Sequence, residues 1–354
     1  MAYTTDNIIV DTATRIFQDL CDPNTVNGAE KGEWPKGLWD ALEESGLTLT
    51  WVPDEFGGAG AGFTDGFAVL RVAGSFAAPL PLAETLMAGW LLASAGIAVP
   101  GGPLTIAPVH ADGDIRLAAD GSLSGRARRV PFARNAAHIA VLLRNGDGPA
   151  VALVTATGLP LKQSTSLAGE PRDDVSFDGA VPTAVRPTAV DQDQLVSFGA
   201  AVRLQQMAGA LEKILEQSVQ YALDRSQFGR PIAKFQAVQH NLATLAGEVA
   251  AASAAADAAA EACTMPEIAI GEIAIAKVRG GEAAGTGAAI AHQVHGAMGF
   301  TYEHSLHHAT RRLWAWREEF GNEAVWAARL GRMVAQRGAD ELWPFITDRI
   351  VRQR

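Results

Sequence analysis

The chain has 354 residues, a formal net charge of −10 at pH 7, and 48% hydrophobic against 19% charged residues. That length exceeds a single small core and predicts two or three domains, while the apolar fraction excludes disorder as the default state. The acidic balance argues against nucleic-acid binding, which rests on Lys and Arg neutralising phosphates, so an anionic ligand must be met by local positive groups. Cys21 and Cys263 are the only cysteines. They make no disulfide or metal-ligand framework and fit a reducing compartment. Residues 1–7 carry neither a basic segment nor an apolar run, so no secretion signal is read there, and a soluble cytoplasmic protein is expected.

From about Asn7 to Gly96 the apolar residues recur at helical spacing, as in Leu38, Ala41 and Leu42 and again in Leu82, Leu86 and Leu91. One helix is expected to end near Ser45-Gly46, followed by a turn and loop at Trp51-Val52-Pro53-Asp54-Glu55-Phe56-Gly57-Gly58. Between Pro103 and Ala189 the pattern changes. Short β-rich runs, His138 to Leu143 and Ala150 to Val154, alternate with the turn signals Asp120-Gly121, Asn145-Gly146-Asp147-Gly148 and Asp178-Gly179, predicting a small β-barrel or sandwich. From about Gln194 the helical period returns. Met207, Leu211, Ile214, Leu215, Ser218, Val219 and Ala222 form one stripe, and Val238, Leu242, Leu245 and Val249 a second. Pro266 divides the second helix from a third marked by Ile270, Ile273, Ala274 and Lys277; a fourth carries Val325, Trp326, Leu330 and Met333. The alanine run from Ala250 to Ala262 is broken by Asp257 and Glu261 and reads as a tightly packed helix, not a membrane span. The expected architecture is mainly α with a β middle domain: helical residues 1–102, a small barrel at 103–190, and an antiparallel four-helix bundle at 191–354.

Arg225 falls where a long helix gives way to a loop, a place from which a guanidinium reaches a pyrophosphate in bidentate fashion. Gln227 adds an amide, Phe228 an aromatic body, and Gly296 and Gly299 bracket a turn where backbone can approach a ligand without a Cβ in the way. Any one of these residues alone is ordinary; their combination points to a large phosphorylated cofactor.

The order and spacing resemble the acyl-CoA dehydrogenase family over essentially the whole chain. The run Arg225-Ser226-Gln227-Phe228-Gly229-Arg230-Pro231-Ile232-Ala233-Lys234-Phe235-Gln236 is similar to the family's helix-loop-helix segment, as is Gln293-Val294-His295-Gly296-Ala297-Met298-Gly299-Phe300 to its later turn. Residues 52–58 and 78–86 look like its N-terminal helical domain. The resemblance implies that Arg225, Gln227, Phe228, Phe235 and Gln236 touch the pyrophosphate and adenine side of FAD. It also implies that Gln293, Val294, His295, Gly296 and Ala297 meet the adenosine of an FAD held mainly by a neighbouring subunit. The implied reaction removes the α-proton of an acyl-CoA thioester with a glutamate while the flavin takes hydride from the β-carbon. An electron-transfer flavoprotein is the implied acceptor, in a homo- or hetero-tetramer.

The departures from the family are as informative. The position of the usual base falls on Phe320, and the alternative position falls on Gly199; neither accepts a proton. Glu318 and Glu319 are weak substitutes, because a one-residue shift on a helix rotates a side chain by about 100°. They are expected instead as a solvated or salt-bridged pair beside Arg317. The family's Thr-Glu-Pro turn and following Gly-Ser-Asp, which bind the flavin ring, are replaced by Thr105-Ile106-Ala107-Pro108-Val109-His110. Losing both features resembles the subunits of heteromeric dehydrogenases of the sterol and bile-acid side-chain type.

Five of the eight histidines, His292, His295, His304, His307 and His308, crowd into a short span. The His304/His308 spacing suits a metal clamp, but no third ligand follows, so no metal is expected. Arg311 and Arg312, with Arg230 and Lys234, are expected to extend a basic patch toward CoA or FAD phosphates. Two readings stand: a flavoenzyme subunit oxidising acyl-CoA to the 2,3-enoyl-CoA, or a non-catalytic partner that completes the FAD site of a paralogous subunit.

Overall fold

The computed structural model describes residues 8–351 except 59, 111–113, 147 and 266–268. Residues 1–7, Asp147 and Pro266, each read above, lie outside the described residues. The first hundred residues form α1 (Ile8–Leu20), α2 (Pro23–Glu30), α3 (Lys36–Glu44), α4 (Phe63–Ser75) and α5 (Leu82–Ser94). Gly46 and Gly57, at φ 73° and 88°, make the left-handed turns that stop α3 and close the Pro53 loop, a conformation glycine adopts without a Cβ penalty. Helix α5 is buried along almost its whole length, because it lies between the helical layer and the sheet that follows.

The middle segment holds β1 (Leu104–Ala107), β2 (Arg116–Leu117), β3 (Leu123–Ser124), β4 (Arg126–Pro131), β5 (His138–Asn145), β6 (Gly148–Thr155), β7 (Leu161–Lys162), β8 (Arg172–Ser176) and β9 (Ala184–Pro187). β5 and β6 pair antiparallel from His138↔Thr155 to Asn145↔Gly148, and their central residues are buried on both faces. One sheet runs β3-β2-β5-β6-β9 with β1 also on β5; a second runs β4-β8-β7. Ile139, Val141, Val154, Val175 and Phe177 share one core between them.

The chain then enters α6 (Gln192–Asp224), opened by a capping box in which Asp191 accepts from the Gln194 N–H at 2.8 Å and Gln194 accepts from the Asp191 N–H at 2.9 Å. A hairpin of β10 (Ser226–Gln227) and β11 (Arg230–Pro231) leads to α7 (Gln236–Cys263) and α8 (Ile270–His295). Ala252, Ala256 and Ala259 face inward on α7, so the alanine run buys close helix contact. Among the described residues no helix is long and apolar enough to cross a membrane.

The expected fourth helix, marked by Val325, Trp326, Leu330 and Met333, is α10 (Glu323–Arg337); a separate helix α9 (Leu306–Glu318) precedes it across a sharp corner, and α11 (Leu342–Val351) follows. The break has a local cause. Phe320 and Gly321 both take positive φ, 54° and 90°, and the Asn322 side chain accepts from the Val325 N–H at 3.2 Å to start α10. Helices α6, α7 and α8 with α9 and α10 make the bundle.

Candidate active site

One end of the bundle gathers the cofactor-type residues. Arg225 caps α6: its N–H donates to the Tyr221 carbonyl at 2.9 Å and its carbonyl accepts from the Ile232 N–H at 2.8 Å. The β10–β11 turn has Phe228 at φ 52° and Gly229 at φ 78°, the double positive φ of a type I′ hairpin. A bulky side chain seldom holds that backbone, and Phe228 does so while 93% exposed. Arg230 lies over the Phe235 ring at 4.3 Å, and Phe235 meets Phe228 edge-on at 6.1 Å. The later segment is brought alongside by the stacking of Tyr221 on His295, ring centroids 4.5 Å apart.

Arg225, Gln227, Gln236, Gln293, Gly296 and Ala297 are exposed there. A Cβ built on Gly296 meets nothing within 4 Å, so its backbone, at φ 58°, faces open space. Val294 and His295 do not belong with them. Both are buried by their own chain, and the His295 Nδ1 pairs with the Ala291 carbonyl at 2.8 Å, so they support the turn from behind. Gly299 is likewise internal: a Cβ there would press on Leu306 and His295. The exposed guanidinium, amides and glycine backbone suit the phosphates and adenosine of a dinucleotide. Leu223, Phe300 and Tyr302, at 52%, 69% and 79% exposure, surround them with apolar surface of the kind that a second protomer covers.

The two positions read from the sequence for a base lie elsewhere, Gly199 on α6 and Phe320 at the α9–α10 corner. A Cβ built on Gly199 falls 2.4 Å from Cδ1 and Cε1 of Phe320, so the two positions, distant in sequence, meet face to face. The Phe320 ring, 4% exposed, occupies the space between them. Phe198 fills the neighbouring volume, packed on Trp90 at 4.2 Å and Trp51 at 4.9 Å.

Glu319 is not paired with Arg317 as the sequence suggested. Arg317 pairs with Glu323 across the corner, and the exposed Glu318 accepts from the Asn322 amide at 3.0 Å. Glu319 turns inward because two guanidiniums wait there: Arg172 Nε donates to its Oε1 and Arg203 Nε to its Oε2, each at 2.7 Å. Arg203 also pairs with Glu84 on α5, Arg172 with Glu170 at 2.8 Å, and Arg312 with Glu170 at 3.2 Å. Three carboxylates thus alternate with three guanidiniums, tying α5, α6, β8 and the corner together in a buried, balanced ladder. Burial alone would raise the Glu319 carboxyl, but Arg172 and Arg203 outweigh it and hold it down at about 2. A base must take a proton near the working pH; this carboxylate is held ionised and saturated.

The basic patch drawn from sequence is corrected as well. Arg311 is taken up bidentately by Glu30, and Arg312 is fully buried, donating to the His308 carbonyl at 3.2 Å. Only Arg230 and Lys234 remain exposed. The histidines pack against one another, His307 tilted on His308 at 4.2 Å and His295 edge-on to His304 at 4.7 Å. His308 bonds Asn27 at 2.8 Å, and burial pushes it down to about 3. No group of three or more His, Cys, Asp or Glu among the described residues could hold a metal ion.

On the flavin-ring side the residues do not fit. The Thr105 hydroxyl is buried and donates to the Pro131 carbonyl at 2.6 Å. Beyond it Val109 and His110 line a cleft of about 600 Å³ with Val196, Phe320, Trp326 and Arg329.

Residues 4–98 match the family described as "Acyl-CoA dehydrogenase, N-terminal domain" and residues 193–335 match "Acyl-CoA dehydrogenase, C-terminal domain". The acyl-CoA dehydrogenase IpdE2 of Mycobacterium tuberculosis is 30% identical over 301 residues, covering 84% of this chain and 87% of that protein. The chain belongs to the acyl-CoA dehydrogenase family. IpdE2 of Mycolicibacterium smegmatis is similar too, 27% identical over 84% of this chain and 89% of its own length. Among solved structures, the ChsE4-ChsE5 complex from Mycobacterium tuberculosis shares the fold with a TM-score of 0.83, at 24% identity over 96% of this chain and 100% of that one. The Tcur3481-Tcur3483 steroid ACAD variant shares it at 0.84, with 24% identity over 93% and 97%.

Acyl-CoA dehydrogenases are flavoprotein oxidoreductases of fatty-acid and steroid catabolism. Within that family this chain exposes Arg225, Gln227 and Gln293 at one end of the bundle and packs the Phe320 ring on Gly199. The sequence alone does not single out Glu84, Arg172 or Arg203 as a charged cluster. Arg203 carries a signal all the same, as a lone charge in the apolar run Gly199-Ala200-Ala201-Val202-Arg203-Leu204.

Proposed function

We propose that this chain is a subunit of a heteromeric, FAD-dependent acyl-CoA dehydrogenase in which a paralogous subunit supplies the base and the flavin-ring turn. The observation that carries this is the Phe320 ring seated on Gly199, with Glu319 engaged by two arginines. In this reading Arg225, Gln227, Phe228, Phe235, Gln236, Gln293, Gly296 and Ala297 reach across the protomer boundary to the pyrophosphate and adenosine of the cofactor. The relatives' names support a heteromer of the steroid type. The chemistry that FAD would supply, when bound, is that of a hydride acceptor for the β-carbon of the acyl-CoA. The chain's own part is to bind and orient: Arg225 neutralises phosphate, the amides of Gln227 and Gln293 fix direction, and exposed Phe228 and Phe300 exclude water from the boundary. The product is the 2,3-enoyl-CoA and an electron-transfer flavoprotein is the acceptor, in the cytoplasm. The domains divide at 102/103 and 190/191.

Co-expression with candidate paralogues tests the proposal. The chain alone should be colourless, and the correct pair should be yellow and bleach on adding acyl-CoA. A yellow, acyl-CoA-bleached protein purified from this chain alone overturns it.

A further inference from the structure

Lys277 is a lysine inside an apolar helix stripe, and it is fully buried. Its Nζ donates to the carbonyls of Trp316 at 3.2 Å and Arg317 at 2.9 Å, the last turn of α9, just before Glu319 and Phe320. Terminal helix carbonyls lack the N–H groups of a further turn; the Trp316 carbonyl accepts from the Glu319 N–H at 3.2 Å, and a side chain from α8 adds a donor to it and to the Arg317 carbonyl. The same face of α8 is shaped to the corner further along. A Cβ on Gly281 would lie 2.7 Å from the Glu323 carboxylate and one on Gly285 would lie 3.1 Å from the Arg317 guanidinium, so these glycines make room for the pair that spans the break.

We infer that Lys277 is the positioning residue of the α9–α10 corner: by holding the Trp316 and Arg317 carbonyls it fixes where α9 stops and keeps Phe320 over Gly199. The inference rests on the reading that this corner is the filled base position. It adds the group that holds the filling side chain in place.

The charged groups facing Lys277 are Glu319 at the corner, Arg203 on α6, Glu318 and Arg317 on α9, and Glu323 on α10. Burial pushes the Lys277 ammonium down to about 7, against the pull of Glu319. The sign follows from linkage. A lysine that is released to water takes a proton near its ordinary value of about 10.4, whereas the seated lysine does not until about 7, so protonation favours the open corner. Opening should therefore rise roughly tenfold for each unit of pH lowered from about 10 to about 7, then level off. Carboxylates and guanidiniums ordinarily keep their charge across that window.

Hydrogen–deuterium exchange of peptides covering 313–326, corrected for intrinsic rates and followed from pH 6 to 9 on the native protein, tests this. The wild-type corner should lose protection about tenfold per unit as pH falls from 9 to 7, with no such slope in α6 or α7 peptides. Lys277→Met should expose the corner and abolish the slope. Lys277→Gln, which keeps donors but does not titrate, should recover protection without the slope. A flat wild-type profile between pH 7 and 9, or a slope that persists in Lys277→Met, overturns the inference; if Lys277→Met does not fold, the wild-type profile decides. Flavin content of the co-expressed assembly is scored separately, so losing the latch and losing the subunit reading give different results.

Discussion

Gly199→Ala offers a test of the contact between Phe320 and Gly199 whose sign is diagnostic. In an open helix interior, glycine to alanine stabilises by about 1 kcal/mol. Here the new methyl would fall 2.4 Å from two ring carbons of Phe320, about an ångström inside ordinary contact. The ring has little room to retreat. The Phe320 carbonyl is held by the Trp326 indole at 2.9 Å and the preceding Glu319 by two arginines. Overpacking of this kind costs about 1–3 kcal/mol, so the net effect should be destabilising or at best neutral. Phe320→Ala alone should cost about 3–5 kcal/mol by leaving a buried cavity. Added to Phe320→Ala, the Gly199 methyl meets vacated space and should stabilise, giving a coupling on the order of 2 kcal/mol. Urea unfolding of the four proteins measures the cycle. If Gly199→Ala changes stability equally with and without the Phe320 ring, the two positions do not meet and the reasoning fails.

Two further outcomes follow from the charged residues. Glu319, held at about 2 against a usual 4.5, contributes stability that is fully present above pH 4.5 and is lost as pH falls toward 2. That component is about 3 kcal/mol, and Glu319→Gln should remove the acid-dependent part while destabilising the protein by about 3–5 kcal/mol at neutral pH, since two buried arginines lose their partner. Unfolding midpoints between pH 2 and 7 check both. Arg225→Ala should strip FAD from the active assembly while leaving the unfolding temperature of the chain within about 1 °C, because Arg225 is exposed; flavin absorbance per protein and a thermal melt separate these effects.

The sequence by itself determined the helix, sheet and bundle order, because hydrophobic period and turn residues are local signals. It also determined that Phe320 and Gly199 are residues without a proton-accepting group, since these are identities and no packing turns either into a base. It placed Lys277 in an apolar stripe without saying what the ammonium would meet. What the tertiary structure alone decided was direction. Arg311 and Arg312 look like a surface patch in sequence, and they turn inward because Glu30 and Glu170 reach them from another helix and another domain. Val294 and His295 sit among cofactor-type neighbours, yet the helix rotates them into the core. Glu319 found Arg172 and Arg203 in place of adjacent Arg317, because a carboxylate carried below the surface needs partners that are buried with it. Such pairings link residues more than a hundred positions apart, and only the assembled layers bring them within reach.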